Sequence, residues 1–312
     1  MNIYETARAA TVQRAMNHWG RFRVTGQDAA ALLHHVTTND IKKLKAGTGC
    51  DAALVTSRGR IMDLLSIWRD AEGYTVLTSP NRRAVFAPHA RTFVLYRQDV
   101  TIEDVSDNGH WRALFGPTAA DTLRKAGLAV PENNAVATTS TATTDASTGG
   151  STGAVHVART GRLPGGGYFV WSAEPPAFDV PECDNDSFNV LRVECGIPIA
   201  GLELTDARNP WEANLGESIS LAKGCYNGQE IIARLNTYQK VKQRLVGVKL
   251  PAVVETPVPL KHASRDAGIL TSAVLSPRFG PIGLAYVRGA HELGAELQAS
   301  EQTITVVDLP FS

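Results

Sequence analysis

The chain has 312 residues, balances 31 Lys and Arg against 31 Asp and Glu, and is 43% hydrophobic and 20% charged. That length suits two or three domains of about 100 residues each, and the ordinary composition excludes wholesale disorder and fibrous classes. Neutrality excludes a surface coated with positive charge for tracking nucleic acid, so any anion site must be local.

In chain order, Arg21-Phe22-Arg23-Val24-Thr25-Gly26 reads as a strand ending in a turn. A helix follows from about Asp28, with Leu32, Leu33 and Val36 on its apolar stripe. Two β-type runs, Ala52 to Thr56 and Ile61 to Trp68, flank Ser57-Arg58-Gly59-Arg60, which has the length and the glycine of a hairpin turn. A strand from Tyr74 to Thr78, a helix through Ala84 to Tyr96 interrupted near Pro88, and a strand from Val100 to Val105 complete a first mixed unit.

A second unit starts with Trp111 to Phe115 and a helix led by Thr118, with Leu123 on its inner face. From Ala137 to Ala154 every residue except Asp145 is Ala, Thr, Ser or Gly. That leaves little to bury, so a flexible surface loop is expected at 137–154. Ala154 to Ala158 and Tyr168 to Trp171 read as strands around the Gly165-Gly166-Gly167 turn. Toward the end, Leu245 to Leu250, Gly268 to Leu275, Ile282 to Arg288 and Thr303 to Leu309 alternate as strands between Pro and Gly, the spacing of a small antiparallel barrel.

The expected class is therefore α+β, with two mixed α+β domains at 1–107 and 108–240 and a C-terminal antiparallel β-barrel at 241–312. No apolar run approaches a membrane span, and Met1-Asn2-Ile3-Tyr4-Glu5 lacks the basic and apolar regions of a signal peptide, so a cytoplasmic protein without membrane contact is expected. The four cysteines (Cys50, Cys183, Cys195, Cys225) are spread without a C-x-x-C pair, which argues against a resident metal or iron–sulfur cluster. The histidines show no H-x-x-x-H spacing and read as structural or surface residues.

Two residues stand out for chemistry. Period-two alternation puts Asp63 on one strand face with Ile61, Leu65 and Ile67, and a carboxylate among apolar neighbours needs either a functional reason or a backbone donor at a strand end. Cys225 follows Lys223-Gly224 and precedes a helix-like run from Gln229 to Leu235. A thiol near a helix N-terminus and a lysine ionises readily, whereas a small hydrophobe tucked under Tyr226 is the other reading. From Lys223 to Lys249 six basic residues face one acid, Glu230, a stretch able to steer an anion or to serve as a solvated face.

The octapeptide Lys223-Gly224-Cys225-Tyr226-Asn227-Gly228-Gln229-Glu230 resembles the K-G-C-Y-x-G-Q-E signature of YgfZ-type folate-binding proteins, relatives of the glycine-cleavage T-protein in the aminomethyltransferase superfamily. Leu191-Arg192-Val193-Glu194-Cys195-Gly196-Ile197-Pro198 is similar to the superfamily's L-R-x-E-x-G-x-P, with Gly201, Glu203, Pro210, Glu212 and Asn214 in register. Thr37-Thr38-Asn39-Asp40 and the Ser57 to Asp63 hairpin resemble its N-terminal pattern, and Gly268 to Ser272 with Ser276-Pro277 its C-terminal barrel.

This resemblance implies a tetrahydrofolate-binding helper for making or repairing iron–sulfur enzymes, including those that modify tRNA, with folate, such enzymes or their assembly proteins as partners and tRNA reached only indirectly. It implies Cys225, Lys223 and Asp63 as the chemical residues and Asp63, Asn39, Tyr226, Gln229, Glu194 and Arg234 as cofactor-binding, with no metal ligands. A folate-dependent aminomethyltransferase or demethylase and an RNA-binding factor are the alternatives, so enzymatic activity stays open. One departure bears on these: T-proteins place a pterin-gripping glutamate in a strand after a glycine turn, and the matching Tyr168-Phe169-Val170 has no acid.

Overall fold

The computed structural model describes residues 2–132, 135–141, 153–238, 241–289 and 291–312. The helices are α1 (Ile3–Ala9), α2 (Ala29–Val36), α3 (Arg83–Arg91), α4 (Ala119–Lys125), α5 (Asn185–Glu194) and α6 (Gln229–Thr237). The first ten strands are β1 (Val12–Ala15), β2 (Trp19–Thr25), β3 (Thr48–Val55), β4 (Ile61–Arg69), β5 (Tyr74–Pro80), β6 (Thr101–Asp104), β7 (His110–Phe115), β8 (Val136–Thr141), β9 (Gly153–Thr160) and β10 (Gly167–Ser172). The last six are β11 (Gln243–Lys249), β12 (Val258–His262), β13 (Arg265–Ser276), β14 (Gly280–Arg288), β15 (Glu296–Ala299) and β16 (Gln302–Val307). The class is α+β, as the sequence led us to expect.

The chain forms two compact units, one of residues 1–33, 41–50 and 65–188, the other of residues 34–40, 51–64 and 189–312. Each takes residues from more than one of the linear segments 1–107, 108–240 and 241–312. The strands β3 and β4 run through both units, so one hairpin contributes to two cores.

The first unit contains an antiparallel sheet in the order β1-β7-β10-β9-β8. Its inner face, with Leu114, Val157, Tyr168 and Val170, buries Leu123 of α4. A second sheet has the order β3-β4-β5-β2-β6. Against it α3 lays Phe86, which meets Phe22 at 5.1 Å between ring centroids. The helix tolerates Pro88 and stops at Arg91, short of the expected Tyr96. Proline removes a single ladder bond, and the burial of Phe86, Ala87 and Ala90 on one face offsets that loss. Both ends of the stretch expected as a loop, 136–141 and 153–160, are paired strands, while 142–152 lies outside the described residues. Thr and Val suit a pleated surface better than their small size suggests.

In the second unit β11-β14-β13-β12-β15-β16 close into a barrel filled by Val248, Leu260, Leu270, Ala285, Leu297 and Ile304. Two of its strands, β12 and β15, were not anticipated, being short and interrupted by polar residues and Pro259. Beside the barrel, Arg192 and Glu203 form an ion pair at 3.1 Å with both side chains out of water. Such a pair is tolerable only when fully hydrogen-bonded. Here Arg192 also reaches Asn189 and Ser272, and Glu203 also accepts from Thr271, Ser272 and the Ile199 N–H.

Candidate functional site

All eight residues singled out from the sequence belong to the second unit. The helix α2 ends at Val36, and helix ends leave carbonyls without partners. Lys223 supplies them: its buried ammonium donates to the carbonyls of His34, Thr37 and Asn39 at 2.6, 2.7 and 2.7 Å. Three acceptors match the three N–H donors of a lysine, and a cation at this end also opposes the helix dipole. The sequence suggested an ammonium that supports the thiol; in the structure the same ammonium also ties its own segment to the end of α2.

The neighbouring chain is laced to the same place. Thr38 donates its hydroxyl to Ser218 O at 2.7 Å, the Ser220 N–H reaches Thr38 O at 3.0 Å, and Asn39 Nδ2 donates to Asp51 O at 2.8 Å. On the other side of Cys225, the Asn227 N–H reaches His35 O at 2.8 Å and its side-chain amide reaches Val55 O at 2.9 Å. Gly228 stands at φ +80°, where a Cβ would lie 2.5 Å from Thr56 O, so only glycine lets this segment meet the β3–β4 hairpin. Asn227 and Gly228 were not singled out from the sequence, although the signature contains both.

Tyr226 is buried with Ala53, Val55, Ile219 and Ile232, and burial pushes its phenol up to about 12. Lys223 Nζ sits 4.5 Å from the centre of its ring, a cation–π contact. Gln229 opens α6 and its side-chain oxygen accepts the Tyr226 N–H at 3.3 Å.

Between these two buried anchors, Gly224 and Cys225 are exposed. The thiol precedes the first helical residue by four positions, and Lys223 and Tyr226 fix the chain on either side of it. At Gly224 a Cβ would meet nothing nearer than His34 Nε2 at 4.0 Å. This glycine is therefore not demanded by the fold; it leaves open space beside the sulfur.

Lys223, Asn39, Tyr226 and Gln229 are thus joined by direct contacts. Asp63 is fully buried on β4, where its Oδ1 accepts the Leu64 N–H at 2.8 Å. Its neighbours Ile61 and Leu64 enter the core with Val193, Leu245 and Tyr286. Glu194 is buried at the end of α5, accepting the Ser276 hydroxyl at 2.6 Å, while its carbonyl takes the Phe311 N–H. Arg234 is exposed on α6. Within the basic stretch Lys242, Arg244 and Lys249 are exposed, and Lys240 lies outside the described residues.

In the first unit, the stretch Tyr168-Phe169-Val170 that matches the T-protein glutamate is buried at all three residues and holds no acid, with Phe169 0% exposed between Trp19 and Trp68 at 5.5 and 6.0 Å. Nearby, Arg162 donates to the Ser66 and Ser79 hydroxyls at 3.1 and 2.9 Å. The arginine had not been noticed in the sequence, where nothing marks it.

The GCVT N-terminal domain family matches residues 4–162. The chain belongs to that family. A chloroplastic putative transferase of Arabidopsis thaliana is 30% identical to this GCVT-family chain over 310 residues, spanning 95% of it and 70% of the relative. A probable aminomethyltransferase of Natronomonas pharaonis is 27% identical, spanning 99% and 89%, and an aminomethyltransferase of Deinococcus deserti is 29% identical, spanning 95% and 84%. Among solved structures, the glycine cleavage system aminomethyltransferase T of Bartonella henselae superposes with a TM-score of 0.81 at 20% identity, covering 99% of this chain and 88% of that one. The fold of the GCVT-family chain is thus that of an aminomethyltransferase. Among its described residues no helix is long and apolar enough to cross a membrane.

Proposed function

We propose that this protein is a tetrahydrofolate-binding member of the YgfZ-type branch, working in the cytoplasm as a helper in the synthesis or repair of iron–sulfur enzymes, tRNA-modifying ones included. The observation that carries this reading is the exposed Cys225 between two buried anchors, Lys223 and Tyr226. A thiol so displayed is accessible to a partner protein, to a soft metal centre or to a disulfide, all chemistries of sulfur rather than of one-carbon transfer.

Folate fits part of what the chain provides. Asp63, a buried carboxylate, is assigned to the reactive nitrogens of the folate, where an anion orients or assists transfer of a one-carbon unit. When bound, tetrahydrofolate supplies nitrogen nucleophiles that accept or carry a one-carbon unit. The apolar run Tyr168-Phe169-Val170 supplies no second acid, and losing an acceptor for a buried donor weakens the grip. That loss favours the helper reading over aminomethyl transfer.

Aminomethyl transfer is the second reading, favoured by relatives of 27% and 29% identity that carry the name aminomethyltransferase. The two diverge in their mutants. In a strain lacking the gene, the helper reading expects reduced activity of cluster-containing enzymes that Cys225→Ala does not restore. The transferase reading expects tetrahydrofolate-dependent turnover of an aminomethyl donor, abolished by Asp63→Asn and kept by Cys225→Ala. Such turnover, together with full rescue by Cys225→Ala, would reject the helper role.

A further inference from the structure

The first unit holds a cavity of about 300 Å³ whose walls include Arg23, Trp68, Arg69, Asp70, His156 and Trp171. None of the candidate residues above lines it. One wall is the outer part of an aromatic row, of which Trp171, His156 and Thr138 line the cavity. Trp111 on β7, Trp171 on β10, His156 on β9 and Thr138 on β8 are register partners across four strands, so their side chains share a face. Trp111 and Trp171 stack at 4.4 Å and 2°, His156 lies on Trp171 at 5.1 Å and 16°, and Thr138 Oγ1 is 3.0 Å from His156 Nδ1. From the other sheet Trp68 meets Trp171 at 5.6 Å.

Protein interiors are close-packed, and the adjoining contacts of Trp68 and Trp19 with Phe169 obey that rule. The space beside the row is an exception, and its lining explains what it suits. Arg23 grips Asp70 through both guanidinium nitrogens, and Asp70 also accepts the N–H groups of Glu72 and Gly73, so that pair is internally satisfied. Arg69 and Glu72 add one charge of each sign. Burial lowers the His156 imidazole below its ordinary value, so its ring is neutral at pH 7. A dianion would meet Asp70 and Glu72, and a cation would meet Arg23 and Arg69. A neutral molecule carrying both donors and acceptors meets no such penalty. The volume sits at the small end of ligand pockets; with Trp111 on one face of Trp171 and His156 on the other, a planar heterocycle meets Trp171 at its edge and is left the rings of Trp68 and His156 for aromatic contact.

We propose that this cavity is a second binding site, for a neutral planar nitrogen heterocycle of nucleobase size seated against Trp68, Trp171 and His156. The probes are adenine and adenosine, with benzoate as a planar anion and benzylamine as a planar cation, followed by calorimetry and by quenching of tryptophan fluorescence. Adenine or adenosine should bind saturably and more tightly than either charged ring. Val136→Trp and, at the exposed rim, Thr138→Trp fill the cavity, and each folded variant should lose at least tenfold in that affinity while its titration with tetrahydrofolate stays within twofold of wild type. Absence of saturation by both probes up to millimolar concentration, stronger binding of a charged ring, or indifference to both fillers would overturn the proposal. So would loss of tetrahydrofolate binding in the fillers, since the cavity would then be part of the folate site.

Discussion

At the scale of single residues, the signature octapeptide divides into anchors and a displayed group. Lys223→Met removes the ammonium that the His34, Thr37 and Asn39 carbonyls share and should cost at least about 2 kcal/mol, read as a lower urea midpoint. A variant of wild-type stability that had lost function would instead place the lysine in the chemistry. Gly224→Ala has room for its methyl group and should fold with unchanged stability; reduced alkylation of Cys225 by a bulky maleimide would then show that the glycine keeps the sulfur accessible. Burial raises the Tyr226 phenol from 10.0 to about 12. Between those values the unfolded chain ionises first, so this group's share of stability is intact below pH 10 and is lost as the pH rises toward 12. Tyr226→Phe should flatten that part of the alkaline unfolding curve. The identity of these residues was legible in the sequence, but the task of Lys223 was not: its acceptors are backbone carbonyls about 185 residues earlier in the chain, and carbonyls leave no mark on a sequence.

Among elements, the β3–β4 hairpin and α6 show how a local pattern becomes a joint. The turn at Ser57 to Arg60 was legible because glycine and length specify it, and Gly59 does take φ +65°. That Gly228 must be glycine because Thr56 O approaches it follows only from the fold. Gly228→Ala should destabilise by about 1–2 kcal/mol from its left-handed conformation alone, and by more from the contact with Thr56 O; a thermal midpoint equal to wild type would contradict the joint. Short strands such as β12 and β15 escaped notice because five or four residues give too little alternation to count. The strand at 136–141 escaped because alanine and threonine were weighed by size and not by their fit to a pleat, whereas Ala154 to Ala158, in the strand at 153–160, was legible.

For the whole molecule, composition and the terminal strand pattern were enough for the α+β class and the barrel, because strand spacing is local. The interleaving of residues 34–40 and 51–64 with 189–312 was not legible, since it depends on pairings between distant segments. Within 189–312, the Arg192–Glu203 pair ties α5 to Thr271 and Ser272 of the barrel strand β13. Arg192→Met strands a buried carboxylate and should cost about 3–5 kcal/mol, whereas adding Glu203→Gln should recover part of that loss in a double-mutant cycle followed by urea unfolding.

The central claim is that a folate-binding member of this family keeps Asp63 for the cofactor and Cys225 for a partner. Calorimetric titration of the purified protein with tetrahydrofolate, beside Asp63→Asn and Cys225→Ala, tests it most directly. Saturable one-site binding is expected, weakened at least tenfold by Asp63→Asn and unchanged by Cys225→Ala. No saturation in the wild-type protein, or binding indifferent to Asp63 and lost with Cys225, would contradict it.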